Sequence, residues 1–144
     1  MTNGEVFSIL LVDDDSEDRE MIDEAFVEIG NARDIKKFIT GKDLLAYLQK
    51  LDPALFPTLI VLDNTMPELG APELLYILKH DEKFRSIPVV VYSSHCSPSE
   101  TAALKALGAY ECMEKADSMR SILVVAHHLR ELAGVKKATD IPSK

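Results

Sequence analysis

The chain predicts an α/β domain of the (βα)5 type, a doubly wound sheet of five parallel strands with helices on both faces. Three observations carry this prediction. Short apolar runs alternate with amphipathic segments at helical spacing. The inner runs show no polar alternation, as expected of strands buried on both faces. The chain has 144 residues, 47% hydrophobic and 28% charged, enough for one globular core.

The first strand is predicted over residues 7–12, ending on Asp13-Asp14-Asp15. The first helix, 16–29, places Met21, Ile22, Ala25, Phe26 and Ile29 on one face. Ser16 is its predicted cap, Glu17 and Asp18 suit its positive end, and Gly30 suits its exit. A second strand over 34–39 contains Lys36 and Lys37 and reads as a sheet edge, where lysines discourage unwanted pairing. A second helix follows Thr40-Gly41 with Leu44, Leu45, Leu48 and Leu51 on one side, and Pro53 and Pro57 bracket the next loop.

The third strand, 58–62, closes on a single acid, Asp63. After a loop over 64–71, Pro72 suits the first turn of a helix carrying Leu74, Leu75, Ile77 and Leu78. The fourth strand is 88–92. Ser97-Pro98-Ser99-Glu100 predicts a capping box at the start of the fourth helix, which Gly108 ends. The fifth strand, 109–113, is mixed in character, and the fifth helix, 118–133, buries Ile122, Leu123, Ala126, Leu129 and Leu132. Residues 1–6 read as an N-terminal extension, 7–134 as the domain and 135–144 as a flexible tail.

The bulk numbers exclude several functions. A formal charge of -8 disfavours a nucleic-acid surface, which needs a basic stripe. No apolar stretch approaches the roughly 18–20 residues that span a bilayer, and no export signal is visible, so no membrane role and a cytoplasmic location are expected. Cys96 and Cys112 show neither metal-ligand spacing nor a disulfide framework and read as two small buried or half-buried thiols. His127-His128 reads as a surface pair on the fifth helix.

In open α/β sheets, ligands bind in the crevice at the carboxyl ends of the strands. Here those ends supply Asp13 and Asp14, Asp63, Ser93 and Lys115. Clustered carboxylates repel one another and are costly to desolvate, so a cation belongs among them. Oxygen ligands suit a hard cation such as Mg²⁺. A hydroxyl and an ammonium beside them suit a transferring phosphoryl group, with an aspartate as covalent nucleophile.

The stretches ILLVDDD, LIVLDNTMPELG, IPVVVYSS and LGAYECMEKAD, in that order, resemble the receiver domain of two-component response regulators over residues 7–134. The resemblance implies a flavodoxin-like sheet in the order 2-1-3-4-5. It makes Asp63 the phosphoacceptor, and Asp13, Asp14, Asp63 and the backbone carbonyl of Thr65 the ligands of Mg²⁺ (or Mn²⁺). Ser93 matches the switch hydroxyl and Lys115 the lysine that contacts phosphoryl oxygens. The implied donor is a sensor histidine kinase or a histidine phosphotransfer protein, the output a downstream protein target, and the activity self-directed, without turnover of an external substrate. Homodimerisation through the fourth and fifth helices fits the family. The 79–87 connection and IPVVVYSS are similar to small regulators paired with bacteriophytochrome-type kinases.

Two departures stand out. Ala116 replaces a usual proline, so the lysine's loop need not contain a cis peptide. Cys112 replaces an aromatic three residues before the lysine. Tyr110, two residues earlier, shares its strand face by alternation and is a candidate substitute. Asp15 reads as a neighbouring, solvated acid, while Ser94 and His95 flank the switch hydroxyl as candidate modulators. Other readings are a haloacid-dehalogenase-type phosphatase, disfavoured by Glu17 where threonine or valine belongs, a calcium loop lacking its central glycine, and a receiver that acts only as a binding module.

Overall fold

The computed structural model describes residues 7–64, 66 and 68–134. Its strands are β1 (Ile9–Val12), β2 (Ile35–Phe38), β3 (Leu59–Asp63), β4 (Val89–Ser93) and β5 (Glu111–Glu114). Its helices are α1 (Ser16–Glu28), α2 (Gly41–Lys50), α3 (Ala71–Lys79), α4 (Pro98–Ala106) and α5 (Met119–Ala133). Short 3₁₀ turns, Ala32–Asp34 and Pro53–Leu55, precede β2 and β3. The strands are parallel in the order β2-β1-β3-β4-β5, so the predicted architecture stands and β2 is indeed an edge. Predicted strand bounds shift by up to two residues; β3 and β4 each run one residue further and include Asp63 and Ser93.

Every residue of β1, β3 and β4 is buried. Alternation along the strands divides the core in two. Leu10, Val12, Ile60, Leu62, Val89 and Val91 share one cluster with Leu44, Leu48, Leu74, Leu78 and Leu104. Ile9, Leu11, Val61, Val90 and Tyr92 share the other with Ile22, Phe26, Ile122 and Leu129. Each such side chain contributes roughly 1.5–3 kcal/mol of hydrophobic stabilisation, largely offset by chain entropy. The outer β5 is only half-buried. Ile77 is 37% exposed, and Leu123 and Leu132 only border the core, whereas Val125, Ala126 and Ala133 complete the buried stripe of α5.

Two helix starts differ from expectation. Asp15, not Ser16, caps α1: its backbone is extended (φ −90°, ψ 119°), and its carboxylate accepts the amides of Glu17 (2.8 Å) and Asp18 (3.2 Å). Asp15 thus satisfies amide donors that helix geometry leaves unpaired. At α4, Ser97 accepts the amide of Glu100, but the Glu100 carboxylate takes the Ser97 hydroxyl at 3.1 Å. The reciprocal box forms instead at α5, between Ser118 and Ser121. Gly108, at φ +112°, leaves α4 through a backbone state that favours glycine, and a Cβ there would stand 2.7 Å from Lys79 Cγ. His128 pairs with Glu111 at 3.0 Å, linking α5 to β5.

Candidate functional site

Asp13 follows the last residue of β1, and its amide still bonds to the Phe38 carbonyl of β2 at 3.0 Å. Asp63 is the last residue of β3, the strand beside it. Register therefore brings these two acids together, buried to 0% and 1% exposure. Asp14 is exposed, yet it offers a carboxylate oxygen within 4.8 Å of ligand atoms from Asp13 and Asp63.

Lys115, just beyond β5, is anchored by its amide to the Ser93 carbonyl (2.8 Å). Its ammonium lies 3.2 Å from Asp13 Oδ2 and 3.3 Å from Asp63 Oδ1. Its shortest contact is with Asp18 Oδ2, at 2.7 Å. Burial works to lower the Lys115 pKa, but the Asp18 hydrogen bond and the charges of Asp13, Asp63 and Asp18 outweigh it and hold the lysine above its ordinary range. The ammonium also sits 5.7 Å from the ring centre of Tyr92.

Asp13 is the strained member. Its Oδ1 accepts the amide of Asp15 (3.0 Å), and its carbonyl accepts Arg19 Nη1 (2.8 Å). Among the described residues, Oδ2 is buried without a hydrogen bond and faces Lys115 as an ion pair. Burial first, then repulsion from Asp63, lift this carboxyl from 3.8 to about 7, against the Asp15 amide and Lys115. One lysine thus serves Asp13, Asp63 and Asp18 together. Clustered hard oxygens and a buried carboxylate oxygen without a donor fit a divalent cation. Asp13, Asp14 and Asp63 would hold it; Thr65, the fourth predicted ligand, lies outside the described residues.

Ser93 is 2% exposed, and its hydroxyl donates to the His95 carbonyl (2.8 Å) while accepting the His95 amide (3.2 Å). The serine is thus engaged by its own loop. His95 and Ser94 are exposed, and His95 takes part through its backbone. Tyr110 is 60% exposed, as a surface residue preceding β5. Cys112 borders the apolar cluster that contains Leu104. Ala116, in a chain without cis peptides among the described residues, donates its amide to the buried Tyr92 hydroxyl at 3.2 Å.

Sequence reasoning missed Asp18 and Tyr92 as parts of the site. Asp18 was legible only as an acid suited to a helix N-terminus, a common pattern without a site. What brings it to Lys115 is the tightness of the turn: α1 starts three residues after Asp13, so its first turn stands over the strand ends. Tyr92 read simply as the last apolar residue of a buried strand.

A family model described as response regulator receiver domain matches residues 9–127. A probable methanogenesis regulatory protein, FilR2, of Methanothrix harundinacea is 32% identical over 96 residues, 65% of this chain and 62% of that protein. The chain thus spans less than two thirds of that curated relative. The crystal structure of a phosphorylated cyanobacterial phytochrome response regulator, RcpA, is similar at 25% identity and a TM-score of 0.77, over 96% of this chain and 99% of that one. The Mn²⁺-bound form of the response regulator Rcp1 is similar in fold, at 23% identity and a TM-score of 0.68 over 85% and 91%. With the five-stranded order and the acidic cluster at its strand ends, these matches make the chain a member of the response regulator receiver domain family.

Proposed function

We propose that this receiver accepts a phosphoryl group on Asp63 from a histidine kinase or histidine phosphotransfer protein, with Mg²⁺ or Mn²⁺ at Asp13, Asp14 and Asp63. The observation that carries the reading is the surroundings of Asp63: a buried carboxylate with an ammonium at 3.3 Å and two further acids close by. A divalent cation supplies charge neutralisation for an incoming phosphoryl group. An Asp63 oxygen attacks phosphorus, an O–P bond forms, and the P–N bond to the donor histidine breaks. Lys115 exchanges carboxylate contacts for phosphoryl oxygens. Ser93 releases the His95 carbonyl and turns its hydroxyl to the same group, shifting the equilibrium between two surface states.

The protein is a phosphoacceptor that assists its own phosphorylation and dephosphorylation, acts in the cytoplasm and signals through a protein target. The likeness to a phytochrome response regulator supports a phytochrome-type kinase as the first donor to try. The decisive experiment is labelling by acetyl phosphate with and without Mg²⁺, comparing wild type with Asp63→Asn. Labelling that needs both Mg²⁺ and Asp63 is expected. Equal labelling of the two proteins removes Asp63 as acceptor, and no labelling of either favours a binding module.

A further inference from the structure

Two cysteines remain outside that chemistry. Cys96 lies in the β4–α4 loop, three residues after Ser93 and directly before the Ser97 cap. Cys112 lies on β5, opposite Val91 of β4. Their Sγ atoms are 2.7 Å apart, closer than unbonded sulfurs usually stand and a short step from the roughly 2.05 Å of a disulfide. Both thiols are half-buried, so a small reagent can reach them. The Cys96 amide also points to Glu114 Oε2 (3.4 Å), a second tie between the loop and β5.

We propose that Cys96 and Cys112 form a reversible dithiol–disulfide site, oxidised by small disulfides such as oxidised glutathione, that fastens the loop after Ser93 to β5. One protein thiol loses its proton and attacks a sulfur of the small disulfide. A mixed disulfide forms and the first small thiolate leaves. The second protein thiol then attacks the mixed disulfide, closing the Cys96–Cys112 bond and expelling the second small thiolate. Two protein thiols are oxidised and one disulfide is reduced to two thiols, which carry away both protons.

Burial, then the Cys112 contact and the charges of Glu114 and Glu100, push the Cys96 thiol up to about 12. Cys96 therefore suits the intramolecular second step, in which proximity compensates for weak acidity. The bond would tether residues 94–97, the backbone that now holds the Ser93 hydroxyl. Its effect on signalling rests on the function proposed above, because Ser93 must leave His95 to meet a phosphoryl group.

The test equilibrates the full chain in glutathione redox buffers, quenches with an alkylating agent and reads intact mass. Oxidised wild type is expected to lose two alkylatable thiols and two hydrogens while remaining a single chain on a non-reducing gel. Cys96→Ser is expected to retain one glutathione on Cys112, whereas Cys112→Ala, left with the weakly acidic Cys96, is expected to stay largely unmodified. Full alkylation of oxidant-treated wild type, or disulfide-linked dimers in place of the internal bond, overturns the site. Amide hydrogen exchange over 94–97 is expected to slow at least tenfold on oxidation, and unchanged exchange overturns the tether. Labelling of Asp63 by acetyl phosphate should fall about tenfold in oxidised protein and recover with reductant. A chain that oxidises but never labels in either form refutes the phosphoacceptor and leaves the thiol site supported by mass and exchange.

Discussion

The two halves of the strand-end crevice are built differently. At β1 and β3 the acids sit on central strands buried along their whole length, and Asp13 and Asp63 have almost no solvent. At β4 and β5 the active groups are held by exchangeable partners: Ser93 by the backbone of an exposed loop residue, Lys115 by an Asp18 carboxylate 28% exposed. The first half stores like charge that its backbone cannot move apart. The second half holds groups that can change partner at small cost. The contrast teaches where a ligand would act under the proposed function: it would relieve the fixed half and recruit the movable half.

Removing the cation that spans both halves should have the largest effect. Lys115→Ala removes the ammonium that faces both buried carboxylates and is expected to lower metal-free stability by about 3 kcal/mol, on the order found for broken buried pairs. Chemical denaturation in EDTA measures it, and a loss below about 1 kcal/mol would show that the acids do not depend on the lysine. The opposite sign is expected from Asp13→Asn. Neutralising the strained carboxyl should stabilise the metal-free protein by on the order of 2 kcal/mol and weaken Mg²⁺ binding at least tenfold. A destabilised Asp13→Asn variant with normal Mg²⁺ affinity would contradict the account of the fixed half.

pH probes the same strain without mutation. Asp13 binds its proton up to about pH 7 in the folded chain but only to 3.8 as an ordinary carboxyl. Between those values the folded state holds more protons than the unfolded, so this group makes metal-free stability fall as pH rises from about 4 to about 7. Saturating Mg²⁺ should flatten that slope, and Tm measured across pH with EDTA or Mg²⁺ checks it.

Asp18→Asn touches only the movable half. Its expected cost is at most about 1 kcal/mol, as for a partly exposed pair. Freed from its shortest contact, Lys115 should meet the phosphoryl group more readily, and a several-fold longer phospho-Asp63 lifetime is expected. An unchanged lifetime would make Asp18 a purely structural partner.

Much of this was readable from residue order alone. Uninterrupted apolar runs announce buried strands, and an acid directly after such a run must lie at the strand end, which made Asp13 and Asp63 legible. Side-chain choices between neighbours were not. Asp15 and Ser16 are both good caps, and only backbone geometry decides between them. The Cys96–Cys112 approach depends on β4–β5 register and the path of a loop, which no spacing motif encodes. Asp18 belongs to the site because a three-residue turn folds the helix back over the sheet.

The bond from the Ala116 amide to the Tyr92 hydroxyl constrains the order in which this sequence can change. Proline, usual in the family at that position, has no amide hydrogen to give. Introduced alone, Ala116→Pro leaves a buried phenol without its donor, a loss of about 1–3 kcal/mol. After Tyr92→Phe the same step forfeits no hydrogen bond. The two positions are therefore epistatic: the cost of Ala116→Pro depends on whether residue 92 still carries its hydroxyl.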